Sequence, residues 1–259
     1  PAPLLHWPDS MFTWCPEEKA LFSCDFLGAH YSEPRVLDSK MTYPDKYLSA
    51  FRYYYDCIFA PFKPFVLQGL QKAEALGAAF VCPSHGPVLS ETIGNAMALY
   101  RAWSSPPPAR EKKKVLIAYV SAYGCTRTLA KAMAAALEAE SLETESVDLL
   151  NADFAALKEK IDGADGLLLG TPTINRDALK PVWDATTLID AIANKGKPAG
   201  VFGSYGWSGE GAEMIESNLK NLKLCIFDRP QAMKFRPDST QKQELKEFGR
   251  NFAEKLLGE

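Results

Sequence analysis

The 259-residue sequence has no long hydrophobic run and no secretion signal. A membrane-spanning helix needs about 20 consecutive apolar residues, and no apolar stretch here approaches that length. The opening PAPLLHWPDS lacks the charged and apolar regions of a signal peptide. We therefore expect a cytoplasmic protein. Because the first residue is Pro rather than Met, we also expect a processed or partial chain.

The sequence also lacks any C-x-x-C pair among its six cysteines. These cysteines lie mostly in apolar runs, which is more typical of reduced thiols than of a disulfide framework or a thiolate metal cage. The net charge of −3 disfavours the large basic surface of a nucleic-acid binder. A hydrophobic content of 47% and a charged content of 24% indicate a folded globular protein rather than a disordered one.

A proline-rich segment, SSPPP at 104–108, is followed by charged residues and interrupts any regular structure. The chain is also longer than the usual domain of about 100–200 residues. We therefore predict a first domain at 1–103, a linker at 104–114 and a second domain at 115–259. All three histidines lie in the first domain, which indicates that the two domains have different chemistry.

The second domain alternates short apolar runs with segments of helical periodicity. Strands are predicted at 115–120, 145–148, 166–169, 198–203 and 223–227, and helices at 127–140, 181–193 and 212–222. This alternation predicts an α/β fold with a doubly wound, five-stranded parallel sheet. A ligand would bind at the carboxyl ends of its strands.

Three loops at those strand ends carry hydroxyl groups, glycines and aromatic side chains: SAYGCT at 121–126, GTPTIN at 170–175 and GSYGWSG at 203–209. The first loop runs into a predicted helix, whose free N–H groups and nearby hydroxyls would bind a phosphate, although Ser and Thr are also ordinary helix caps. There is no G-x-G-x-x-G or G-x-x-x-x-G-K-[ST], which disfavours dinucleotides and nucleoside triphosphates. Trp207 between glycines is interpreted as a stacking face for a planar ring rather than a packing anchor.

Together these loops resemble the three FMN-contacting segments of flavodoxins. The resemblance implies FMN as cofactor and a set of binding residues in each loop. The phosphate would be surrounded by Ser121, Tyr123, Gly124, Cys125 and Thr126. The isoalloxazine edge would be lined by Thr171, Pro172, Thr173 and Asn175, and the ring would be closed over by Ser204, Tyr205, Gly206, Trp207 and Gly209.

In the first domain, predicted strands at 20–25 and 78–83 are followed by an acid or a histidine. Imidazoles and a carboxylate at strand ends can converge on a metal, but each of them can also serve only its own turn. The segments LHWPDSMF, LFSCDFLGAH and PSHGP, followed by a flavodoxin-like domain, resemble the flavodiiron proteins, also called A-type flavoproteins. That family implies a metallo-β-lactamase-like αββα sandwich, here partial, ahead of the flavodoxin-like sheet.

The same resemblance implies two non-haem irons. His6, Asp25 and His85 fall on the family's metal ligands, with Asp25 as the bridging carboxylate, and His30 would lie beside them as a catalytic neighbour. The family's H-x-E-x-D-H motif is absent from this sequence. Since three ligands are too few for two irons, we expect a separate or cleaved N-terminal polypeptide to supply the others and to cover an otherwise open apolar face.

The implied activity is a flavodiiron oxidoreductase that reduces O2 to water or NO to N2O. Its electrons would arrive from a donor such as rubredoxin or reduced deazaflavin, and a head-to-tail homodimer would bring one subunit's FMN to the other's irons. Two alternatives remain open: a flavodoxin-type electron-transfer module with a docking domain, and a metallo-β-lactamase-type hydrolase with an appended flavodoxin.

Overall fold

The computed structural model describes residues 1–106 and 110–258. The chain divides into two compact units, Pro1–Pro108 and Ala109–Glu259. The predicted linker spans this division, and its residues 107–109 lie outside the described part of the chain. Within that part, no helix is both long enough and apolar enough to traverse a membrane.

The first unit is a small sheet with helices. Its strands are β1 (Thr13–Cys15), β2 (Ala20–Cys24) and β3 (Phe80–Pro83), and its helices are α1 (Pro44–Ile58), α2 (Lys63–Leu76) and α3 (Ile93–Ser104). Strand β2 lies in the middle, antiparallel to β1 and parallel to β3. The sequence predicted β2 and β3, but the helices were missed.

An aromatic cluster forms the core of this unit. Phe26, Phe51 and Tyr100 are almost completely buried, and the ring centroids of Phe51 and Tyr100 lie 5.0 Å apart. The two faces of the sheet differ in burial. Leu21 and Val81 are fully buried, whereas Phe22 is 50% exposed and Phe80 37% exposed. One face of the sheet is therefore packed and the other is open and apolar.

A buried carboxylate ties α3 to the chain that precedes α1. The Asp38 oxygens accept hydrogen bonds from the backbone N–H groups of Ser90, Glu91 and Thr92 and from the hydroxyls of Ser90 and Thr92. Burial raises the pKa of Asp38, but these hydrogen bonds outweigh it and hold the pKa at about 2. Asp38 thus accepts hydrogen bonds from the turn that leads into α3.

The second unit alternates strands with helices. Its strands are β4 (Lys114–Tyr119), β5 (Glu143–Asp148), β6 (Gly166–Ile174), β7 (Asp177–Ala178), β8 (Pro198–Tyr205), β9 (Cys225–Ile226) and β10 (Gln231–Lys234). Its helices are α4 (Cys125–Ala139), α5 (Phe154–Gly163), α6 (Lys180–Thr186), α7 (Glu210–Asn221) and α8 (Ser239–Leu257).

The main sheet of this unit has the strand order β10-β8-β6-β4-β5, and every pairing along that path is parallel. Alternate side chains of β4 face opposite layers. Ile117 packs in one cluster with Leu129 of α4 and Phe252 of α8, whereas Leu116 packs in another with Ile161 of α5. The predicted doubly wound, five-stranded parallel sheet is therefore confirmed, with helices on both faces.

Several elements differ from the sequence prediction. The fifth strand position is divided: β9 pairs with the start of β8 and β10 with its end, so the predicted run at 223–227 is only its first part. Helix α6 ends at Thr186 rather than near residue 193. The hydroxyls of Thr186 and Thr187 donate to the carbonyls of Trp183 and Asp184, which satisfies the end of the helix locally.

The other outer strand, β5, carries charge along its length. Lys114 Nζ lies 3.3 Å from Glu143 and 2.7 Å from Glu145, and Lys160 Nζ lies 2.7 Å from Glu145. Hydrogen bonds from Lys114 and Lys160 lower the pKa of Glu145. The open edge of the sheet is thus bordered by ionised side chains.

Candidate functional site

A cavity opens where the parallel strands of the second unit end. Its volume is about 740 Å³, within the range of about 300–1,000 Å³ that is typical of small-molecule sites. Its lining residues come from the ends of β6 and β8 and from the segments that follow β4, β6, β8 and β10. They are Tyr123, Cys125, Pro172, Thr173, Ile174, Asn175, Arg176, Ser204, Tyr205, Gly206, Trp207, Ser208 and Phe235.

Most of the predicted cofactor-binding residues line this cavity. Those that do not are Ser121, Gly124, Thr126, Thr171 and Gly209. Thr126 and Ser204 share a buried hydrogen bond of 2.9 Å, and Ser121 Oγ accepts one from the backbone N–H of Arg127 at 3.2 Å. Thr171 Oγ1 accepts one from the Leu179 N–H at 3.1 Å. The hydroxyls of Ser121, Thr126 and Thr171 are thus used in contacts within the protein, whereas Ser204 also lines the cavity.

The loop after β4 is shaped for an anion. Gly124 has a φ of 83°, in the left-handed region that favours glycine, and this turn lets α4 begin at Cys125 beside the cavity. The first N–H groups of a helix lack partners within the helix and carry the positive end of its dipole. An anionic group such as a phosphate would therefore be stabilised at this end of the cavity.

Three aromatic side chains that line the cavity are exposed to solvent. Trp207 is 100% exposed, Tyr123 86% and Phe235 60%. Exposed aromatic residues grouped at a cavity are typical of a site for a planar ligand. Together with the helix start and the hydroxyls of Thr173 and Ser204, these residues fit a mononucleotide that carries a large flat ring.

Four lining residues were missed by sequence reasoning: Ile174, Arg176, Ser208 and Phe235. Ile174, Arg176 and Ser208 adjoin residues that the sequence did single out, so the signal was proximity alone. Phe235 follows β10, a strand that was not predicted. The sequence thus offered no reason to look for a site residue there.

The predicted metal ligands also come together, in the first unit. His6 Nε2 lies 2.9 Å from Asp25 Oδ2, and His85 Nε2 lies 3.5 Å from Asp25 Oδ1. The ring of His30 lies 5.1 Å from that of His85 and 4.7 Å from that of Tyr54. Burial, reinforced by the Asp25 carboxylate, raises the pKa of Tyr54. Each oxygen of Asp25 thus faces a different imidazole.

These side chains contact one another rather than diverging around an ion. In the described residues, no group of three or more His, Cys, Asp or Glu side chains is arranged to hold a metal. Two metals also need more ligands than two imidazoles and one carboxylate provide. The donors present in this chain therefore do not by themselves fit a two-metal centre.

Known proteins are similar to this chain over both of its units. Residues 117–249 match the flavodoxin family. The flavo-diiron protein FprA2 of Clostridium acetobutylicum is 44% identical over 98% of this chain, and the type A flavoprotein fprA of Rhodobacter capsulatus is 36% identical over 99% of it. The structure of rubredoxin oxygen:oxidoreductase from Desulfovibrio gigas has a TM-score of 0.66 and 26% identity over 99% of this chain.

The chain spans only part of these proteins: 64% of the Clostridium protein, 59% of the Rhodobacter protein and 64% of the Desulfovibrio structure. Its two units follow each other along one sequence, and the comparisons cover both. The chain belongs to the flavodoxin family through its second unit, and over its whole length it corresponds to the C-terminal portion of flavo-diiron proteins.

Proposed function

We propose that this chain binds FMN and serves as the electron-relay portion of a flavodiiron oxidoreductase. Flavodoxin domains bind FMN, and the observation that carries the proposal is the cavity of about 740 Å³ at the carboxyl ends of the strands. When bound, FMN accepts electrons singly or in pairs. The residues of this chain would bind the cofactor, orient it and limit its contact with water.

The binding roles follow from position. The start of α4 would hold the phosphate, with Tyr123 and Cys125 beside it. Thr173 and Asn175 would meet the edge of the ring, and Trp207 and Phe235 would cover its faces. Ser121, Thr126 and Thr171 would hold these segments in place through their hydrogen bonds. Gly124 would allow the turn into α4, and Gly209 would form the cap of α7.

For the first unit we propose that His6, Asp25 and His85, with His30 beside them, form part of a two-iron site. Further ligands would come from protein outside these 259 residues, in a longer chain or in a separate or cleaved polypeptide that carries H-x-E-x-D-H. The open sheet face supports this, because exposed Trp7, Met11 and Phe22 line a cavity of about 580 Å³. Apolar surface of this kind is typically covered by other protein.

The complete oxidoreductase would reduce O2 to water, NO to N2O, or both. One relative is named rubredoxin oxygen:oxidoreductase, which supports O2 as acceptor and rubredoxin as donor, with a reduced deazaflavin as another possible donor. We propose a head-to-tail homodimer. We also propose a cytoplasmic location, which is supported by the six cysteines, none of which forms a disulfide.

A second candidate is a flavodoxin-type electron-transfer module. It is favoured by the finding that, among the described residues, no three candidate ligands are arranged for a metal. In that case the chain would exchange electrons through FMN alone. The first unit would then only dock a client protein.

The first measurement tests both functions, and the second separates them. Titration of the chain with FMN should quench flavin fluorescence and reach one FMN per chain. A chain that is colourless after incubation with excess FMN and removal of the unbound cofactor would contradict both functions. The chain should then be loaded with iron, with and without a polypeptide that carries H-x-E-x-D-H, and supplied with reduced rubredoxin. Oxygen uptake that requires this polypeptide supports the oxidoreductase. Reduction of the flavin with no bound iron and no oxygen uptake supports the electron-transfer module.

A further inference from the structure

Among the described residues that line the flavin cavity, Arg176 is the only one with a charged side chain. It lies in the two-residue connection between β6 and β7, where Ile174 pairs with Asp177. Asn175 and Arg176 have φ values of 54° and 60°, which is the geometry of a tight hairpin turn. The left-handed conformation is unfavourable for an arginine, and such strain tends to persist where a position has a function.

The start of α7 holds the Arg176 side chain. Its Nε donates to Glu210 Oε1 at 3.1 Å, and its terminal nitrogen lies 3.1 Å from the same oxygen. A hydrogen bond from Ser208, with Arg176 nearby, lowers the pKa of Glu210, so the carboxylate is ionised. These contacts use two of the five N–H groups of a guanidinium, so the others remain for a ligand.

The hairpin and the helix start are fixed to each other. The Gly211 N–H donates to Thr173 Oγ1 at 3.2 Å, and a Cβ at Gly211 would lie only 2.9 Å from the Ala178 nitrogen. Backbone therefore packs directly on backbone here. The backbones of the hairpin and the helix start are thus held in one relative position, and the ion pair with Glu210 keeps the positive charge of Arg176 at the cavity wall, although the Arg176 side chain is 83% exposed.

A fixed positive charge distinguishes the redox states of a ligand. A flavin that takes up two electrons and one proton gains a negative charge on its ring. On the basis of the proposed FMN binding, we propose that Arg176 makes the cavity favour reduced over oxidised FMN, and that Glu210 positions the guanidinium and offsets part of its charge. A purely structural ion pair would affect both states equally.

The experiment compares the affinities of oxidised FMN and of FMN reduced with dithionite, measured anaerobically on the 259-residue chain. The variants are Arg176→Gln, Arg176→Lys, Glu210→Gln and the Arg176→Gln/Glu210→Gln double variant. The control is Lys220→Gln. Lys220 pairs with Glu216 at 2.6 Å and lies near the other end of α7, about 15 Å along the helix from Glu210.

The readout is the dissociation constant of oxidised FMN divided by that of reduced FMN. Arg176→Gln should lower this ratio by roughly threefold to tenfold, as expected for one screened charge near the ring. Glu210→Gln should raise it, the double variant should return towards the unaltered chain, and Arg176→Lys should keep it. The shift should shrink in about 1 M salt, where the Debye length is about 3 Å.

An Arg176→Gln ratio that matches the unaltered chain would overturn the inference, as would an equal shift in Lys220→Gln. If Arg176→Gln weakens both forms of FMN to the same extent, the residue is only structural and the inference is also wrong. In these cases FMN still binds and the proposed function stands. If the unaltered chain binds neither form, the proposed function fails as well.

Discussion

Thr126 and Ser204 join the first turn of α4 to the end of β8 through one hydrogen bond of 2.9 Å between their hydroxyls. Both residues are buried, with 1% and 6% of their surfaces exposed. The start of α4 and the segment that carries Trp207 are therefore connected by a buried contact at the cavity. The spacing of two of the proposed flavin-binding segments depends on this pair.

The variant Thr126→Val should lower both stability and FMN affinity. It keeps the shape of the side chain but leaves the Ser204 hydroxyl buried without this partner, which costs about 1–3 kcal/mol. Urea unfolding and FMN titration would measure the two effects. Thr128→Val is the control, because the Thr128 hydroxyl bonds only within its own helix turn, to the Gly124 carbonyl. Equal losses in both variants would contradict the bridging role.

The variant Trp207→Ala should weaken FMN binding without changing the stability of the chain free of FMN. The indole is 100% exposed, so its removal costs the unliganded fold little. Loss of a stacked ring costs about 1–3 kcal/mol, or roughly fivefold to 150-fold in the dissociation constant. Tyr53→Ala removes another exposed aromatic side chain, from the first unit, and should leave FMN affinity unchanged. Unaltered binding by Trp207→Ala would exclude stacking.

Acid should destabilise the first unit through Asp38. Its folded pKa of about 2 lies below the value of about 3.9 in an unfolded chain. The folded state therefore binds fewer protons, so the stabilisation is complete above about pH 4 and is lost as the pH falls towards 2. Because Asp38 is only 4% exposed, this amounts to about 2 kcal/mol.

The variant Asp38→Asn should remove this pH dependence and lower the unfolding free energy at pH 7 by about 2–3 kcal/mol. Urea unfolding from pH 2 to 7, with amide exchange in α3 as a local probe, would measure both changes. The control is Asp56→Asn, since Asp56 forms an exposed pair with Arg52 on α1. An acid response that persists in Asp38→Asn would assign it to other carboxylates.

The variant Asp25→Ala should abolish iron loading of the assembled oxidoreductase but leave FMN bound. In the proposed two-iron site, a carboxylate that faces two imidazoles would serve both metal positions, whereas every residue lining the flavin cavity belongs to the other unit. Iron and flavin would be quantified in one purified sample, with the exposed Glu18→Ala as control. Retention of two irons would remove Asp25 from the ligand set, and loss of both cofactors would indicate misfolding.

The sequence predicted the elements whose residues carry an unambiguous pattern. Strands β4, β6 and β8 are almost continuous apolar runs because both of their faces are buried. Strand β10, with the sequence QAMK, lies at the edge of the sheet and has only Met233 deeply buried, so it shows no such run. Because β10 was not predicted, Phe235, which directly follows it and lines the cavity, was not identified either.

Backbone conformation set the other limit. Asn175 was identified from its motif, but the turn that brings Arg176 to the same cavity depends on two consecutive left-handed residues, for which glycine is the usual signal. His6, Asp25 and His85 were predicted from the resemblance of their segments to flavodiiron proteins, and their side chains do meet. Their contact distances depend on how the strand ends converge, which residue types do not encode.

The glutamates along β5 bear on how this protein behaves when it is crowded. An outer strand presents open N–H and C=O groups, and two such edges can join sheets from separate molecules into one. A second copy approaching β5 would have to bring Glu143 and Glu145, already neutralised by Lys114 and Lys160, against an identical row. Dehydrating these ion pairs is costly. The sheet is therefore expected to resist edge-to-edge association into aggregates at high protein concentration.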